Sequence, residues 1–156
     1  MSKQFDKKSL SVYADFMEEI KLRTDAIDRI YGLCHKGQLD RRPTAEFGYL
    51  QLRMICELIA LGCIAAHNDI RDVNAKALLK SWSASDIMHR LENLHSEFYP
   101  RPTRQTERKA WGPNGQPIMQ VEAITTGYLS KADLIKLNGE CGDRLHRGSY
   151  KQALEA

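Results

Sequence analysis

The chain has 156 residues, a net charge of +3, and 42% hydrophobic against 28% charged residues. That is ordinary globular composition. It excludes a disordered, collagen-like or disulfide-stapled chain and leaves enough length for one domain, residues 1–156, with a core of its own. The mildly basic balance is compatible with a nucleic-acid partner without requiring one.

The first element is marked by Leu10, Tyr13, Met17, Ile20, Thr24, Ile27, Tyr31 and Cys34, which recur at alternating three- and four-residue steps. This is the period of a helical seam. It predicts a helix from about Leu10 to Lys36, with Gly37 past its end as the C-cap and Phe16 and Ile30 widening the stripe. Glu19 with Arg23 and Asp25 with Arg29 have the i,i+4 spacing of surface ion pairs. After a loop over 38–43, Thr44 is the expected cap of a second helix reaching about His67. Its second half is apolar nearly all round, as in a helix surrounded by others, and Gly62 offers a place for a neighbour to approach closely.

A shorter helix is expected over Ile70–Trp82. Ser83 followed by Asp86 reads as a capping box for the next, whose stripe is Ile87, Leu91, Leu94 and Phe98 and which Pro100 and Pro102 terminate. Residues 100–128 change character: Arg101, Arg104, Arg108 and Lys109 precede Trp111, Gly112-Pro-Asn-Gly115 marks a turn, and Ile118–Ile124 has strand-compatible side chains. A small β-hairpin-like excursion around 103–126 is predicted. Ser130 with Asp133 is a second capping box, opening a last helix with Leu134, Leu137, Cys141 and Leu145 buried and Gly148 closing it. The expected fold is therefore all-α, a bundle of four to five helices with a hairpin insertion.

Cys34, Cys56, Cys63 and Cys141 show no paired spacing and read as packed free thiols of a reduced compartment. Met1–Lys8 is polar with no apolar stretch behind it, and the run Met54–Ala66 contains Glu57 and is short for a bilayer. A cytoplasmic protein with no membrane association is the expectation. Cys56, Cys63 and His67 share one helical face, but this spacing is that of core cysteines more than of a zinc site, so no metal or cofactor is expected.

Chemistry-bearing residues concentrate in Cys141-Gly-Asp-Arg-Leu-His-Arg-Gly148. Asp143, Arg144, His146 and Arg147 at a helix end read in two ways. They could form an anion site with His146 as acid or base, or they could simply end a helix, with cations answering its exposed carbonyls and His146 anchoring the tail. Leu-His-Arg-Gly at the close of the last helix resembles the end of bacterial helical domains of the HEPN type. Trp82-Ser-Ala-Ser-Asp-Ile87 and Phe98-Tyr-Pro-Arg-Pro102 are similar to parts of an uncharacterised family of that kind. The resemblance implies a helical bundle, dimer formation, and in some members ribonuclease activity in toxin–antitoxin or phage-defence systems. Nuclease members carry Arg, four to six residues, then His.

Arg90 to His95 and Arg29 to His35 fit that spacing, whereas Arg144 and His146 are one residue apart and depart from it. With 12 arginines and 5 histidines in the chain, about one such match arises by chance. Glu57, the lone charge in an apolar run, needs a cation, either Arg53 one turn earlier or Arg144 from the last helix. Arg101, Arg104 and Arg108 between Tyr99 and Trp111 have the mixture of cations and rings that can hold RNA, or that simply anchors a solvated loop. Two functions follow: a non-catalytic interaction module that self-associates through the first helix, which is favoured, and an RNA-binding or metal-independent ribonuclease domain using Arg144 and His146 or Arg90 and His95.

Overall fold

A computed structural model of the chain describes residues 7–67, 78, 80–81, 83–112 and 115–146. Among these it holds four helices, α1 (Lys7–His35), α2 (Arg41–Ala66), α3 (Ala84–Leu94) and α4 (Lys131–Leu145). A single antiparallel hairpin, β1 (Thr103–Trp111) and β2 (Pro117–Ala123), separates α3 from α4. This is the all-α class with a hairpin insertion that the periodicity indicates. The helix expected over 70–82 lies outside the described residues except at Leu78, Lys80 and Ser81, and so do Arg147, Gly148 and the tail.

α1 is about 43 Å long at 1.5 Å per residue. It ends in the two bonds of a Schellman motif, Gln38 N–H to Leu33 O and Gly37 N–H to Cys34 O, both 3.0 Å, with Gly37 at φ +71°. α1 and α2 form an antiparallel pair, and two glycines of α2 set their separation. A Cβ on Gly48 would stand 3.1 Å from the Tyr31 ring, and one on Gly62 would stand 3.3 Å from the Met17 methyl. Arg23 ties the two helices by donating to Glu19 Oε1 (2.9 Å) and to Gln51 Oε1 (2.8 Å). Asp25 and Arg29 make no ion pair among the described residues.

Several helix ends differ from expectation. α2 starts three residues before Thr44, with Asp40 at the N-cap; the Thr44 hydroxyl instead donates back to the Asp40 carbonyl at 2.8 Å. Ser83 does sit at the α3 N-cap but makes no capping bond, and the Asp86 carboxylate bonds Ser81 and Arg90 instead of closing the box. α3 stops at Leu94, well before Pro100: His95 turns extended and its Nδ1 accepts the Glu97 N–H at 3.2 Å, a side-chain bond that competes with the helical one. Ser130 caps α4 as expected, accepting from the Asp133 N–H at 3.2 Å.

The core does not lie in the α1–α2 seam. Its buried side chains are Cys56, Ala60 and Cys63 of α2, Ala84, Ile87, Met88 and Leu91 of α3, Leu134 of α4, together with Leu78 and Phe98. In α4, Leu137 is only partly buried against this cluster, and Leu145 is likewise half-buried. α1, despite its regular stripe, contributes no buried residue and packs on α2 and on no other described helix or strand. α2 is thus the hub, touched by α1, α3 and α4. It has 26 residues, and an 18-residue window of it reaches a mean hydropathy of 1.5, so by length and composition alone it is long and apolar enough to cross a membrane, which the shorter run from Met54 does not reveal.

The hairpin pairs Thr103 with Ala123 through Glu107 with Met119, then slips before Trp111 meets Pro117. Gly115, at φ +68°, completes its turn by donating to the Gly112 carbonyl at 3.0 Å. The hairpin packs on no described helix, and Ile118, Met119 and Val121 stand exposed on it.

Candidate functional site

The C-terminal charges and the Arg53–Glu57 pair meet where α4 crosses α2. Arg53 Nε donates to Glu57 Oε1 at 3.2 Å, so Glu57 finds its cation on its own helix and not in Arg144. The Arg144 guanidinium lies over the Tyr49 ring, 5.8 Å from its centroid. Arg144, Asp143, Glu140, Cys141, Leu137 and Tyr49 line a small cavity of about 260 Å³. Neither Glu57 nor His146 lines it. His146 is the exposed C-cap residue of α4, its backbone N–H bonded to Gly142 O at 3.2 Å, and its ring makes no hydrogen bond among the described residues. The neighbouring thiols are quenched. Burial pushes Cys56 up to about 12, with Cys141 and the Glu57 carboxylate adding to it, and burial raises Cys141 as well.

Arg90 and His95, the pair with nuclease-like spacing, are not brought together. Arg90 Nε bonds both oxygens of Asp86 at 2.9 Å, and Ser81 donates to the same carboxylate at 2.5 Å. These bonds hold the Asp86 carboxyl below its ordinary range. His95 packs instead against His67, ring centroids 5.4 Å apart. Because His95 Nδ1 accepts the Glu97 N–H and His67 Nδ1 lies 2.9 Å from the Cys63 carbonyl, the two rings hold opposite tautomers. No hydrogen bond or ion pair joins Arg90 to His95 among the described residues.

The basic segment spreads out likewise. Arg101 pairs with Glu97, Arg104 sits opposite Glu122 across the hairpin, and Gln120 Nε2 donates to Glu122 Oε1 at 2.6 Å. The side chains of Arg108 and Trp111 lie outside the described residues.

An apolar cleft that the sequence does not announce is larger than any of these. It measures about 670 Å³ and opens between Tyr13, Met17 and Ile20 of α1, the last turns of α2 (Ile59, Gly62, Cys63, Ala66), the 97–102 strap, and Tyr128 and Leu129. The strap is fixed by buried Phe98, edge-on to Tyr99 at 6.3 Å, and by the Tyr99 hydroxyl donating to Leu129 O at 2.8 Å. Burial holds the Tyr99 phenol at about 12 and the Cys63 thiol in the cleft wall at about 12. At the rim lie the Glu97–Arg101 pair and His67. These residues read in the sequence as helix stripe. The signal that could have found them is Pro100 and Pro102, which force an extended strap beside four aromatic residues, Tyr13, Phe98, Tyr99 and Tyr128.

No family model, no curated protein and no solved structure matches this chain.

Proposed function

We propose that the chain is a non-catalytic helical interaction module, of the HEPN-like bacterial kind its C-terminal motif resembles, and that it self-associates through α1. The observation that carries this reading is a 29-residue helix with an apolar stripe along its whole length and no buried side chain. α2 covers one side of it. Leu10, Leu22 and Leu33 remain exposed, Leu22 at 64%, and Phe16, Met17, Ile27 and Ile30 are only half-buried. Leu22 and Leu33 share the face of α1 opposite the seam that meets α2, and exposed leucines there are a surface that a second copy can meet with its own. The catalytic alternative lacks a comparable support: Arg90 is paired with Asp86, Arg144 lies over Tyr49, and no hydrogen bond joins either to His95 or His146 among the described residues. Free thiols, three of them buried, fit the cytoplasmic reading.

Sedimentation velocity tests the reading. The parent chain is expected to run as a dimer and the Leu22→Asp/Leu33→Asp variant as a monomer of unchanged helicity. A monomeric parent at tens of micromolar would sink it. RNA remains a second reading on one observation, the hairpin that packs on no described helix, with 103–107 exposed and Arg101 and Arg104 at its base. Its test is taken up with the hairpin below.

A further inference from the structure

We infer that the cleft between α1, the end of α2 and the 97–102 strap binds a small amphipathic anion, a hydrocarbon or aromatic body with a carboxylate-like end. Its volume of about 670 Å³ is that of a small-molecule site, large for a packing defect and small for a partner helix. The walls are aliphatic and aromatic, from Met17, Ile20, Ile59, Phe98 and Leu129.

The polar groups that line it favour an anion. Arg101 and the hydroxyls of Tyr13 and Tyr128 can donate, and the two hydroxyls have no partner among the described residues; the His67 Nδ1 proton is already donated to the Cys63 carbonyl, and only Glu97 presents a carboxylate. Arg101 is held by Glu97 alone, in a surface pair whose side chains are 81% and 61% exposed. Such a pair contributes at most about 1 kcal/mol, so a ligand carboxylate can take over the guanidinium at small cost. A cationic ligand would meet Arg101 and gain only Glu97. The Cys63 thiol in the wall is held protonated by burial, so binding is reversible and non-covalent.

Calorimetric titration of the full chain with dodecanoate, dodecanol and dodecylamine, each below its micellar range, tests this. Dodecanoate should bind saturably, one per chain, about fivefold more tightly than dodecanol, and dodecylamine more weakly still. Arg101→Gln should bring dodecanoate down to the dodecanol level, and Glu97→Gln should tighten it. Ala66→Trp, which places a ring in the cleft, should abolish binding of both with helicity retained. The two rim variants change exposed side chains and keep the test decisive even where the filled variant folds poorly. Absence of saturable dodecanoate binding, equal affinity for the amine, or indifference to both rim substitutions overturns the assignment. So does affinity that falls as protein concentration rises, because a second copy would then occupy the cleft. Self-association itself is read separately by sedimentation.

Discussion

Cys56 and Cys63 lie on α2 within the core, and burial pushes both thiols up to about 12. At pH 8 only about one part in ten thousand of such a group is thiolate, the form that attacks disulfides and alkylating agents. Cys141 is raised in the same direction by its own burial. Cys34, near the end of α1, is only half-buried and stands apart from them. With a chromogenic aromatic disulfide, one thiol per chain should react promptly, and three should react only at the rate of unfolding. Cys34→Ser should remove the prompt phase. Raising the pH from 8 to 10 should speed Cys56 and Cys63 only as far as the fold loosens, since their thiolate fraction remains about one per cent even there. Two prompt thiols in the parent would show that the α2–α4 contact opens far more readily than its packing indicates.

At the scale of elements, the two glycines of α2 separate propensity from packing. Replacing glycine by alanine in a helix interior gains about 1 kcal/mol of propensity. At Gly62 the new methyl meets the free end of Met17, which can swing aside. At Gly48 it meets the edge of the Tyr31 ring, which moves only as a whole. Urea unfolding should therefore place Gly62→Ala above the parent in stability and about 1 kcal/mol above Gly48→Ala. The reverse order would mean that Tyr31, not Met17, is the looser neighbour.

This contact also marks how far the sequence could be read. The three- and four-residue steps of Leu10 to Cys34, the close approach at Gly62, the Gly37 cap and the Ser130–Asp133 box are local signals, and the structure carries each of them. The location of the core was not legible, because a stripe says that a face is apolar and not what covers it; Ile87, Met88 and Leu91 bury against α2, while α1 packs along α2 without a buried side chain. The cleft was hidden for the same reason. It lies beside the point where α3 stops at Leu94, six residues before the first of the two prolines, and the Glu97 N–H to His95 bond found at that stop has no counterpart in the periodicity.

Across the whole molecule, the division is between a packed unit of α2, α3 and α4 and two appendages, α1 on one side of α2 and the hairpin beyond α3. The hairpin packs on no other described helix or strand, and its sheet has two strands only. A two-stranded sheet is marginal in water, and Ile118, Met119 and Val121 lie exposed on it, so its place in the molecule is not explained by stability. Its ends are already joined: the Ile124 N–H donates to the Pro102 carbonyl at 2.9 Å, which lets the chain be closed there by a two-residue turn. Replacing 103–123 by Asn-Gly should therefore leave the helical circular dichroism unchanged and shift Tm by no more than about 3 °C, the equivalent of about 1 kcal/mol. The dimer expected from α1 should persist, since α1 and the hairpin do not touch. If RNA is the partner, the parent should bind a generic RNA pool with an affinity that falls steeply with salt, and the shortened chain should lose that binding while keeping its fold. A large drop in Tm would show instead that the hairpin belongs to the packed unit, and RNA binding that survives the deletion would move the basic surface to the helices.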